Sequence, residues 1–338
     1  MPIDRSSAPD SARLTRRHLL HAAGALGAGG LLGAPALAQA AWPSKSIRFV
    51  VPFAPGGSSE IVARSTANEL TGLLGQSVYV DNKPGAAGNI AMSEVARSDD
   101  QHTLILGHIG TLAVNPYIFA KLPYDANKDF KPVSLLAKVP SLYVVHPDVP
   151  VKNLVEFIAY AKARPGKLSY GSAGNGSAGH LAFEYLKMTS NVFMLHVPYR
   201  GTGPMLTDLI SGRLEASAIG AAAIIPFIKS GKVRCIATGS AQRLPQLPEV
   251  PTVAEQGFPG FEMTQWYGML APANMAPAHL AKLSEATMKA VRAPAALERL
   301  RGDAAESIGG TPEEFARFIA VEQERWKKVI ARANIKPD

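Results

Sequence analysis

Short apolar runs alternate along this chain with segments in which apolar residues recur every three or four positions. That alternation predicts an α/β protein with largely parallel sheets flanked by helices. Residues 47–51, 78–80, 103–106, 142–145, 168–170 and 234–238 read as strands, and 61–74, 154–163, 181–188 and 204–211 as helices. The last helix is the best marked. Thr311, Pro312 and Glu314 supply an N-cap, a proline at the first helical position and a capping-box glutamate. Phe315, Phe318, Ile319, Trp326, Val329 and Ile330 then share one face, which reads as core docked on a sheet and not as a ligand box.

Segments 133–145 and 261–270 read as crossings between two lobes. They divide the chain into a first lobe of residues 41–142 plus 266–338 and an inserted second lobe of residues 143–265. Residues 1–40 stand apart from both. Arg16 and Arg17 precede a Gly/Ala-rich apolar run over 19–37 and the small-residue sequence Ala38-Gln39-Ala40, the pattern of an export leader cleaved near Ala40. Paired arginines and a glycine-rich run favour a Tat-type leader over a Sec one. The run is too interrupted by glycine to resemble a membrane-spanning helix of ~20 residues. The 298 residues that remain suit two domains.

Charge and cysteine usage narrow the picture only modestly. The formal charge is +8, and the leader's four arginines against two aspartates leave +6 on the rest. Such an excess steers small anions or simply keeps the protein soluble. Lysines and arginines are dispersed and not interleaved with aromatics, so nucleic acid is not an expected partner. Cys235, the one cysteine, lies in an apolar run and reads as a buried strand residue.

The strongest chemical signal is a series of glycine turns, each between a strand and a helix. Pro55-Gly56-Gly57-Ser58-Ser59 follows the first strand, Lys83-Pro84-Gly85-Ala86-Ala87-Gly88 the second, and Gly107-His108-Ile109-Gly110 the third. In the second lobe, Gly171-Ser172-Ala173-Gly174-Asn175-Gly176-Ser177-Ala178-Gly179 and Arg200-Gly201-Thr202-Gly203 repeat the theme. Turns at the carboxyl ends of strands gather on one rim, where free N–H groups and helix dipoles favour an anion without any lysine. Gly174 to Gly179 also matches G-x-G-x-x-G. The acidic residue a dinucleotide site needs about twenty positions on is absent, since Tyr199 and Arg200 stand there.

The sequences PGGSSEIVAR (55–64), DNKPGAAG (81–88), HVPYRG (196–201) and LPEVPTVAEQG (247–257) resemble the Bug, or TctC, periplasmic solute-binding proteins of tripartite tricarboxylate transport, in order and over nearly all of the chain after the leader. The resemblance implies a type II periplasmic binding protein, a two-lobed Venus flytrap in which each lobe is a sheet flanked by helices. It also implies a periplasmic, non-enzymatic monomer without metal or cofactor, which takes a small organic anion, a mono- or dicarboxylate, and delivers it to a membrane permease of the tripartite tricarboxylate type. Carried over by position, Gly56, Gly57 and Ser58 hold the ligand from the first lobe with His108 and Gly110 nearby, and Ser172, Ala173, Gly176, Ser177 and Tyr199 close from the second. Two departures stand out. Glu60 occupies a position where many members carry Asp, and Ala216-Ser217-Ala218-Ile219-Gly220 replaces a polar Asp-Asn wall. A smaller, apolar wall favours a ligand with a bulky or aromatic apolar body over an amino acid.

Other side chains remain open from sequence. His108, His180 and His196 are not at metal-binding spacing. His108 reads equally as ligand contact or structural residue, the other two as structural. Ser172 and Ser177 lack the G-x-S-x-G elbow of a hydrolase nucleophile. Arg200 points to solvent or pairs with a carboxylate, and Trp266 and Tyr267 are hinge core or a stacking surface. A periplasmic hydrolase or isomerase of small acids and a ligand-presenting sensor component are the alternatives to a transport protein.

Overall fold

The computed structural model describes residues 42–302 and 304–333, and the expected leader and its cleavage site lie outside them. The strands are β1 Ile47–Val51, β2 Val78–Asn82, β3 Thr103–His108, β4 Phe130–Val145, β5 Ser169–Ser172, β6 Leu195–Pro198, β7 Ala216–Gly220, β8 Arg234–Thr238, β9 Thr264–Pro272 and β10 Glu306–Ser307. The helices are α1 Ser58–Leu74, α2 Asn89–Ala96, α3 Asn115–Ile118, α4 Leu154–Lys162, α5 Ala178–Ser190, α6 Thr202–Ile210, α7 Ala221–Lys229, α8 Pro277–Arg292, α9 Pro294–Gly302 and α10 Pro312–Ala333.

Strand order is β2-β1-β3-β9-β4-β7-β5-β6, with β8 and β10 also paired to β4. The outer trios are parallel, as expected. The centre is not. β9 runs antiparallel to β3 and β4, and β4 antiparallel to β7, β8 and β10, so the sheet is mixed and not largely parallel. The reason is that β4 and β9 are the two connections between the halves. β4 pairs with β9 up to Pro140 and with β7 from Ser141, changing sheet within one 16-residue strand. Pro132 and Pro140 lack a donor for the ladder and hide the part of this strand that precedes the expected 142–145, and register irregularities fall between Pro132 and Ser134 and between Leu135 and Ala137.

Strand residues alternate between two apolar cores. Val50 and Ile105 join Phe315 and Trp326 on one face, whereas Phe49, Val51, Leu104 and Leu106 join Leu70 and Leu283 on the other. Both faces are therefore covered, which is why these strands read as unbroken apolar runs. The terminal helix has the capping box its sequence predicts. Thr311 N–H donates to Glu314 Oε2 at 2.8 Å and Glu314 N–H to Thr311 Oγ1 at 3.2 Å, and Phe315 and Trp326 are buried. Cys235 sits on β8 as expected but is half-buried and not fully buried, and desolvation of its thiol pushes its pKa up to about 12.

Candidate functional site

Four helices begin at one place, three of them directly after a glycine. α1 starts after Gly57, α6 after Gly201 and α7 after Gly220, none with a side-chain cap. α5 starts after Ser177, whose hydroxyl accepts the His180 N–H at 3.4 Å. Ser58 and Ser59, Ser177 to Gly179, Thr202 and Gly220, all at these helix starts, line a small cavity of about 30 Å³. Phe53, Ile109, Ala173, Met205, Ala218 and Ile219 supply apolar wall, and His108, Gln265, Trp266 and Tyr267 complete it. Among the described residues, no Asp, Glu, Lys or Arg lines the cavity. Its potential is set by backbone N–H groups and helix dipoles, which favour a negative charge.

His108 is the most informative side chain there. It ends β3, is 2% exposed and packs on Phe53 with ring centroids 4.6 Å apart. The Gly110 N–H donates to its Nδ1 at 2.7 Å, which leaves the ring proton on Nε2. Burial pulls its pKa down to about 3, so the imidazole is neutral at physiological pH. Nε2 itself has no hydrogen-bond partner among the described residues. The neighbouring Tyr267 hydroxyl gives its proton to Gln265 Oε1 at 2.6 Å and is approached by the Ser58 hydroxyl, and Gln265 Nε2 donates to Ser141 Oγ at 3.3 Å. Buried polar groups are normally paired. An unpaired one in a neutral cavity indicates a partner that the protein does not itself provide.

Ser58, His108, Ala173 and Ser177 of the expected ligand set line the cavity, whereas Gly56, Gly57, Gly110, Ser172, Gly176 and Tyr199 do not. The second group frames it. The Gly56 N–H donates to Glu60 Oε2 at 2.7 Å, while Glu60 Oε1 pairs with Arg64 at 2.7 Å. Glu60 thus fastens the first turn. A Cβ on Gly57 would stand 2.9 Å from Thr202 Oγ1, and one on Gly110 would collide with the Gly176 carbonyl oxygen, so both glycines let the two halves approach. The Gly176 N–H donates to His180 Nδ1 at 3.1 Å. Ser172 Oγ lies 2.7 Å from His196 Nε2 and also bonds Gly174, behind the loop it braces. Tyr199 turns its hydroxyl to Asp208 Oδ2 at 2.7 Å, and burial with that carboxylate raises it to about 12.

The residues left open also find places. Arg200 is exposed, and its carbonyl oxygen accepts the Ala54 N–H at 3.2 Å. Tyr267 and the preceding Trp266 both line the site, and Trp266 also donates to Glu322 Oε2 at 2.8 Å and packs on Phe315 and Phe318. Sequence reasoning did not single out Phe53, Thr202, Met205 or Gln265. Phe53 and Thr202 adjoin glycine turns that it did identify, and nothing local marks Gln265.

Two α/β halves joined by β4 and β9 and shut on a cavity ringed by helix starts define the two-lobed fold of periplasmic binding proteins. The chain belongs to the TctC family, whose model, described as tripartite tricarboxylate transporter family receptor, matches residues 62–335. It is 34% identical over 297 residues to protein BugT of Bordetella pertussis, covering 87% of this chain and 91% of that one. Among solved structures it is similar to R. palustris Rpa4515 with adipate, at 36% identity and a TM-score of 0.85, covering 88% of this chain and all of that one. It is also similar to MatC from Rhodopseudomonas palustris with bound malate, at 34% identity and a TM-score of 0.82, covering 86% and 100%.

Proposed function

We propose that this protein is an exported, periplasmic solute-binding protein that captures a small organic carboxylate between its lobes and hands it, chemically unchanged, to a membrane transporter of the tripartite tricarboxylate type. The lobes are taken as residues 41–142 plus 266–338 and 143–265, acting as a monomer. The observation that carries this reading is a cavity ringed by four helix N-termini, with the unpaired His108 Nε2 in it and no charged side chain among the described residues that line it. Such a site stabilises a carboxylate and provides no activated nucleophile, since the buried Ser172–His196 pair lies off the cavity. That Rpa4515 and MatC were solved with adipate and malate supports the same class of ligand. The apolar wall of Met205, Ala218 and Ile219 favours an acid with an apolar body.

A thermal-shift and calorimetric panel of adipate, malate, hexanoate, benzoate and glutamate, on protein purified from the periplasm, tests the reading. At least one acid is expected to raise the melting temperature, glutamate to raise it least, and mass spectrometry to recover the bound acid intact. No shift with any carboxylate would sink the proposal, and a converted acid would favour an enzyme.

A further inference from the structure

His108 occupies the cavity as a donor of fixed direction, and no group among the described residues takes up its Nε2 proton. We propose that His108 determines the class of ligand: its Nε2–H donates to one carboxylate oxygen, and the acid bound carries no ammonium group. This deepens the carboxylate reading above and rests on it. Three features of the site support it. The ring is held by the Gly110 N–H on Nδ1 and by Phe53 against its face, so Nε2–H cannot exchange roles with Nδ1 without breaking a buried bond. The Ser58 hydroxyl, 4% exposed and beside the Tyr267 hydroxyl, is a second donor on the same cavity. Among the described residues no carboxylate lines the wall, and the nearest acid of the first turn, Glu60, is already held by Gly56 and Arg64. An ammonium group would be stripped of water there with no counter-charge to meet it.

Hexanoate, adipate and 6-aminohexanoate share a six-carbon chain and one carboxylate and differ only at the far end. Calorimetry on the purified protein is expected to show hexanoate or adipate binding, with 6-aminohexanoate weaker by on the order of a hundredfold. His108→Gln places an amide N–H near the Nε2 position, whereas His108→Asn places its polar atoms near Nδ1, where they serve the turn and not the cavity. The Gln variant should retain affinity for the acid that binds, and the Asn variant should lose about tenfold or more. A purely structural histidine predicts the reverse ranking. In addition, nitrogen-15 NMR of the unsubstituted protein should show the His108 Nε2–H tautomer, with its proton moving downfield when the acid is added.

If no acid of the panel binds the unsubstituted protein, the carboxylate reading itself falls and takes this inference with it; if glutamate alone binds, the inference alone is overturned. If one binds but 6-aminohexanoate matches it, or Asn equals or exceeds Gln, or NMR shows an Nδ1–H ring, the inference alone is overturned.

Discussion

A single imidazole has opposite effects on stability and on recognition. His108 is neutral when folded, with its pKa drawn from 6.5 to about 3 by burial, and recovers its ordinary value when the chain unfolds. Between those values the unfolded chain holds the proton and the folded one does not. The contribution of His108 to stability is therefore full above about 6.5 and falls with decreasing pH by about 1.4 kcal/mol per unit until about 3. Replacing it by glutamine is expected to flatten the acid limb of a stability–pH profile measured by urea unfolding between pH 4.5 and 7. Parallel profiles would contradict the assignment. At this scale sequence reading found the residue but not its role. It placed His108 on the rim from the glycine turn around it, yet which nitrogen carries the proton depends on Gly110 N–H folding back two residues later.

Secondary-structure elements carried more of their own information. The terminal helix was legible to its first residue because its capping box, N1 proline and apolar stripe are all local, and Thr311 and Glu314 bond each other as that motif requires. Thr311→Ala should cost about 1 kcal/mol, seen as a fall of about 2 °C in melting temperature with the ligand site unaffected. β4 shows the opposite case. Sixteen residues with two prolines looked like a crossing because proline weakens a strand's local signature. Its pairing with β7, β8, β9 and β10 was supplied by distant strands, and so was the antiparallel centre of the sheet. Glu60 illustrates the same division: its type is written in the chain, but its attachment to Gly56 and Arg64 belongs to the folded turn.

Closure is a property of the whole molecule. The first turn meets α6 so closely that a Cβ on Gly203 would stand 2.5 Å from the Pro55 carbonyl oxygen, with no other group against it. Gly203 lies in the first turn of α6, where alanine suits the helix at least as well. Gly203→Ala is therefore expected to leave unfolding of the free protein unchanged or slightly harder while holding the halves apart. Small-angle scattering should show the variant failing to contract with an acid that contracts the wild type, and affinity should fall about tenfold or more. Equal contraction would show that the approach of Gly203 to Pro55 does not limit closure.

The sequence by itself determined the alternation of strands and helices, the capped terminal helix, and the glycine turns that make helix starts available to an anion. Those are local properties, written in spacing and in residues that few substitutes match. Tertiary structure alone decided that four helix starts from both halves meet on one uncharged cavity, that Gln265 and Tyr267 complete its wall, and that Tyr199 turns away to Asp208. Convergence depends on how β4 and β9 join the two halves, and long-range pairing of that kind leaves no mark within any single segment.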